Sequence, residues 1–162
     1  MNTIIKVSSE IENNVNGSPR FAQSETELSS FLEQWRAGTL PKSEWTHAAH
    51  VAVAACHLFD YSADEALRQI RAGIIRYNTC VGTANTDHSG YHETLTRFWS
   101  GLIADFLRAR RFSSRLESVR GALWRFARDS TLFRSYYSFD VVNDAQARRE
   151  WIAPDLHPLA KP

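Results

Sequence analysis

"EWTHAAHVAVAACH", residues 44–57, carries three of the six histidines in a run otherwise dominated by small apolar residues. No proline or glycine interrupts it, so it reads as a helix that opens near Pro41 and Ser43 and continues to about Phe59. Its neighbours read the same way. Before it, "SETE" at 24–27 has the spacing of a capping box, and Leu28, Phe31, Leu32 and Trp35 follow at helical intervals until Gly38. After it, Ser62 can cap a third helix with Ala66, Ile70, Ile74 and Tyr77 as its apolar stripe and Gly82 as its stop.

The polar stretch "TANTDHSG" (83–90) predicts a loop. A fourth helix is expected from Tyr91 to about Arg108, with Leu95, Phe98, Trp99, Leu102 and Phe106 inward, and a fifth over about 114–128. Shorter helices are expected near 130–137 and 143–151, and the proline-broken tail "APDLHPLAKP" must be irregular. No strand pattern and no internal repeat interrupts the series. The expectation is an all-α, single-domain irregular bundle of about five main helices over 23–162, preceded by a mobile leader over 1–22.

Composition narrows the function classes. The 162 residues suit one domain, and the formal charge of +1 gives no general reason to bind nucleic acid or an anionic membrane. Seven arginines, Arg108, Arg110, Arg111, Arg115, Arg120, Arg125 and Arg128, face only Glu117 across 108–128. Leu116, Val119, Leu123 and Phe126 interleave with them, so the segment reads as an amphipathic helix with a solvated basic face rather than a nucleic-acid footprint. No window is long and apolar enough to span a membrane, no secretory signal opens the chain, and the two cysteines, Cys56 and Cys80, fall in expected helices. The expected location is cytoplasmic, with no membrane and no nucleic-acid partner. The tryptophans and apolar helix faces leave room for a homo-oligomer.

His47 and His50, three apart, share one helix face and can converge on one ion. His57, seven beyond His50, is about 10 Å further along the helix and reads as a core residue. His92 falls in the first turn of the fourth helix beside Glu93, with His88 in the loop before it. Two imidazoles from one helix and one from another make a three-histidine set, the number used by catalytic metals that keep a position open. The expected metal ligands are therefore His47, His50 and His92, holding a divalent transition metal such as iron, zinc, copper or manganese.

Around them, Glu93 is a candidate fourth ligand or general base and Tyr91 a pocket wall. Thr96, four residues beyond His92, can bond a ligand or water, and Arg97 can clamp a substrate anion through its planar fork. Each has a structural reading too: Glu93 complements a helix dipole, Arg97 is an exposed helix arginine, and Tyr91 and Trp45 are core aromatics.

Together "WTHAAH" (45–50), "SGYHETLTRFW" (89–99) and "ARREWIAPDLHPL" (147–159) resemble an uncharacterised family of short bacterial all-helical proteins. These carry a His-x-x-His helix, a Tyr-His-Glu-Thr segment and a terminal Pro-Asp-Leu motif. The resemblance covers about residues 28–160, and implies that His47, His50, Tyr91, His92, Glu93 and Thr94 form one functional unit. Three functions are compatible with these residues: a metal-dependent oxidase or hydrolase of a small organic substrate, a metal-free enzyme using histidine as acid or base, and a sensor that binds a ligand or metal without turnover.

Overall fold

A computed structural model of the chain describes residues 17–159. The expected leader therefore lies outside the described residues over 1–16. Residues 17–22, counted with it, belong to the folded body: Ala22 is fully buried and Phe21 stacks on Phe31 with ring centroids 4.3 Å apart. Gly17, Ser18 and Pro19 hide this in the sequence, because the two side chains that dock are a single pair without periodicity.

The described residues form six α-helices and no strand: α1 Glu25–Ala37, α2 His47–Asp60, α3 Ala63–Cys80, α4 Glu93–Arg110, α5 Arg115–Phe126 and the short α6 Ala145–Arg149. The all-α bundle is thus as expected. Boundaries follow local chemistry. Ser24, Ser62 and Ser114 each accept the backbone N–H three residues on, at 3.2–3.4 Å, and so cap α1, α3 and α5. Two starts differ from the sequence reading. Residues Lys42–Glu44 form a separate 3-10 turn, and α2 begins only at His47 under the cap of Thr46. Similarly, His92 is the cap of α4 and not part of its first turn.

α2 is the centre of the bundle. Eight of its fourteen residues are buried, including Ala49, Ala52 and Ala55, and it packs against α5, α4 and α3. Alanines let these neighbours approach from several sides, as expected for a helix apolar all round. Close approach also shapes α1 on α3: a Cβ on Gly73 would lie 2.0 Å from a ring carbon of Trp35, which is 1% exposed. Only glycine leaves room for that indole.

A second, smaller core joins the outer face of α4 to the chain after α5. Phe98, Phe133, Tyr137, Val141 and Ala147 build it. Thr94, fully buried, stitches it down by donating to the Glu150 carbonyl at 2.7 Å and accepting from the Ile152 N–H at 3.0 Å. Asp155, within the Pro-Asp-Leu motif, accepts from the Ser138 backbone N–H at 2.9 Å. The tail is irregular, as its prolines demand, yet fastened.

The arginine-rich segment is tied inward at two points. Arg115 bridges to Asp60 at 3.2 Å, and Arg120 donates to the carbonyls of Ala22 and Gln23 at 2.9 and 2.8 Å. Among the described residues no helix is long and apolar enough to cross a membrane.

Candidate functional site

Residues 45–46 break the chain between the 3-10 turn and α2, and that break places the site. Trp45 has φ −79° and ψ 63°, and its indole packs on Tyr77 (5.0 Å), Trp35 (5.8 Å) and His50 (3.8 Å between ring centroids). Thr46 accepts the Ala49 N–H at 3.4 Å, so the helix starts with His47 and sends His47 and His50 out on one face.

Each of the two histidines is held by one nitrogen. His47 Nε2 lies 3.1 Å from the carbonyl oxygen of Phe126, the last residue of α5, and satisfies a helix-terminal carbonyl. A carbonyl only accepts, so Nε2 carries the proton and Nδ1 keeps its lone pair. His50 is the mirror case. Its Nδ1–H donates to the Thr46 carbonyl at 2.8 Å, which leaves Nε2 as an acceptor with no partner among the described residues. Burial pushes both imidazoles toward the neutral form, against the pull of these carbonyl bonds; for His50, to a pKa of about 4.

The two histidines line a cavity of about 540 Å³ between α2, α3 and α4, a volume typical of small-molecule sites. Of the other expected residues, Tyr91, His92 and Thr96 also reach its wall, while Glu93 and Arg97 do not. Val51, Val53, Ile70, Ile74 and Leu95 make much of the surface apolar. No aspartate or glutamate lines it among the described residues. A concavity of similar volume, about 590 Å³, lies beside Phe21, Phe31 and Glu44, but no histidine borders it.

His92 is on the wall but fully occupied. Its Nδ1 accepts the Leu95 N–H at 3.3 Å and its Nε2–H donates to the Val141 carbonyl at 2.9 Å. Both nitrogens serve the backbone, so ligation of a metal by His92 requires breaking one of these bonds. Burial and then the Arg148 charge hold it below the usual histidine range, against the Val141 bond.

Glu93 stands behind the wall. Arg71 of α3 forks onto it, Nε to Oε2 at 2.9 Å and Nη2 to Oε1, and Tyr91 donates to Oε2 at 2.7 Å. Burial works against its ionisation, but the Arg71 and Tyr91 hydrogen bonds and the Arg71 and Arg97 charges outweigh it and hold the carboxyl below its usual range. Glu93 is thus a fixed anion that orients the Tyr91 ring. Arg97 completes this cluster at 4.0 Å and lies over the Trp151 ring at 4.9 Å, away from the cavity.

The remaining histidines serve elsewhere. His57 is buried, donates from Nδ1 to the Val53 carbonyl at 2.7 Å and meets Trp35 edge to face at 5.6 Å, as a core residue should. His88 is exposed in the loop. Among the described residues, no group of three or more His, Cys, Asp or Glu side chains is placed to hold a metal ion.

Lys42, Asn78, Trp99 and Ser100 are cavity residues that motif reading passed over as site residues. Ser100 was within reach of helical spacing, since 92, 96, 99 and 100 share one side of α4. Lys42 stands three residues before Trp45 in a 3-10 turn that sequence reading merged into α2. Asn78 reaches the site through the loop: it donates to Asn85 Oδ1 at 2.9 Å, and that same oxygen accepts the Tyr91 N–H at 2.9 Å. Gly90 allows the fold-back, with φ 75° and the Ala84 carbonyl where a Cβ would sit.

Comparison of the chain with protein-family models, with curated proteins and with solved structures gave no match.

Proposed function

We propose that this protein binds a small organic molecule in the α2–α4 cavity and that His50, as a neutral imidazole, accepts a hydrogen bond from it. The observation that supports this most is the uncommitted Nε2 of His50 on the wall of a largely apolar cavity. An acceptor so placed costs little while water fills the cavity, and rewards a ligand that brings a donor. With its pKa lowered to about 4, the nitrogen stays unprotonated near neutral pH and serves the ligand as a hydrogen-bond acceptor. Trp45 and Trp99 supply flat apolar walls for such a molecule.

A fragment screen by two-dimensional NMR tests the reading. Binders are expected to move the indole signals of Trp45 and Trp99, and His50→Gln is expected to weaken them. Binders that cluster away from α2 and α4, or that ignore His50→Gln, contradict it.

A second reading, a divalent transition metal, rests on His47 and His50 each keeping one uncommitted nitrogen on the same helix face. The third expected ligand does not fit as placed, because His92 has both nitrogens engaged, and Glu93 is bound to Arg71. A metal held by His47 and His50 would act as a Lewis acid toward a ligand in the cavity. Titration with zinc, copper, iron and manganese discriminates the readings: tight one-to-one uptake abolished by His50→Ala favours the metal, and its absence favours the free imidazole.

A further inference from the structure

We infer that the ligand of this cavity is a small organic anion, a carboxylate on a flat apolar body, with Lys42 receiving the carboxylate. The inference rests on reading the cavity as a small-molecule site, and it fixes the sign and shape of what enters.

The sign follows from the charges at the wall. Lys42 is the only formally charged residue that lines the cavity among those described, and its ammonium has no ion-pair or hydrogen-bond partner among them. Of the acids that adjoin wall residues in sequence, Glu93 is forked by Arg71, and Glu44 lines the other concavity while its charge reaches Tyr77. The first turn of α2, which brings His47 and His50 to the wall, contains no acid, whereas α1, α3, α4 and α5 each carry at least one there. A cationic ligand meets no carboxylate on the cavity wall among the described residues. An anion meets Lys42.

Position follows from the 3-10 turn. Residues three apart eclipse one another in that geometry, and the Trp45 N–H bonds the Lys42 carbonyl at 3.2 Å, so Lys42 and Trp45 emerge on the same side. Lys42, an exposed side chain, thus leaves the turn on the side of an indole that is itself packed on His50 at 3.8 Å. Across the site Trp99 packs on His47 at 4.7 Å. Two such flat pairs with aliphatic side chains between them suit a planar body, and leave His50 Nε2 for a donor elsewhere on the ligand.

Calorimetric titration of the full chain with 2-naphthylacetate, its neutral amide 2-naphthylacetamide and its cationic counterpart 2-(2-naphthyl)ethylamine tests this, with Lys42→Gln and His50→Gln alongside. The carboxylate should bind about tenfold tighter than the amide, a preference that Lys42→Gln reduces to within about threefold by weakening the carboxylate more than the amide. Raised salt should weaken the carboxylate selectively. Equal binding of acid and amide, tightest binding by the amine, or a carboxylate preference untouched by Lys42→Gln overturns the inference. In each of those cases amide binding that His50→Gln weakens keeps the cavity reading intact. Failure of all three probes to bind overturns both.

Discussion

Arg71 and Glu93 join α3 to α4 across 22 residues, with Arg71 Nε 2.9 Å from Glu93 Oε2 and the second guanidinium nitrogen on the other oxygen. That pair decides the role of the carboxylate. A group with both oxygens taken by a guanidinium and a phenol is poorly placed to serve as base or ligand. Glu93→Gln should therefore cost stability, about 1–3 kcal/mol for a lost charge-assisted pair in a partly buried setting, and should leave ligand affinity within about threefold. Urea unfolding and the calorimetric titration read the two effects separately. Unchanged stability with abolished binding would place Glu93 in the site after all.

His92 gives a parallel test of structural against ligating roles. Its Nδ1 caps α4 and its Nε2 satisfies a carbonyl on a distant segment, so His92→Ala should lower stability by about 1–3 kcal/mol. His92→Asn keeps the cap and should recover about 1 kcal/mol of that. If instead His92→Ala removes a stoichiometric metal with no loss in the urea midpoint, the capping account fails.

Gly73 tests the packing that sets α1 against α3. A methyl there meets the Trp35 ring at 2.0 Å, so Gly73→Ala should destabilise by about 1–3 kcal/mol although alanine favours helix. Thermal unfolding checks this, and a gain in Tm would contradict the close approach.

Much of the frame was legible in the sequence because it depends on residues three or four apart. The Ser24 box and the Leu28, Phe31, Leu32, Trp35 stripe predicted α1, and all four apolar residues are buried. The shared face of His47 and His50 follows from the same periodicity. What the sequence concealed are non-local partners that have no side-chain signature. The carbonyls of Phe126 and Val141 lie 79 and 49 residues from the histidines they engage, and any residue type can offer a carbonyl. A motif rich in metal-ligand residue types thus resolves into one capped helix, one ion pair and two imidazoles with a free nitrogen each. The small turn at 42–44 was hidden for a similar reason, since Pro41 marks a start equally well for α2 or for a 3-10 turn.

Acid should unfold the protein early. Burial holds His47, His50, His57 and His92 below the usual histidine range, so the unfolded chain takes up more protons than the folded one as pH falls. Each contributes stability that is fully present above its unfolded pKa near 6.5 and is lost as pH drops toward the folded value, about 4 for His50. Between pH 7.5 and 5 the loss from His50 alone is about 2 kcal/mol. The urea midpoint should fall over that window, less steeply in His50→Gln. A midpoint flat from pH 7.5 to 5 would contradict the neutral imidazoles.

The most direct test of the central claim is nitrogen-15 NMR of the His50 ring, free and with 2-naphthylacetamide, whose amide N–H groups can donate to Nε2. The account predicts a neutral ring with the proton on Nδ1 down to about pH 5, and an Nε2 signal that moves when ligand enters. A ring protonated near pH 6.5, a proton on Nε2 in the free protein, or an Nε2 signal indifferent to a ligand bound in the cavity would contradict it.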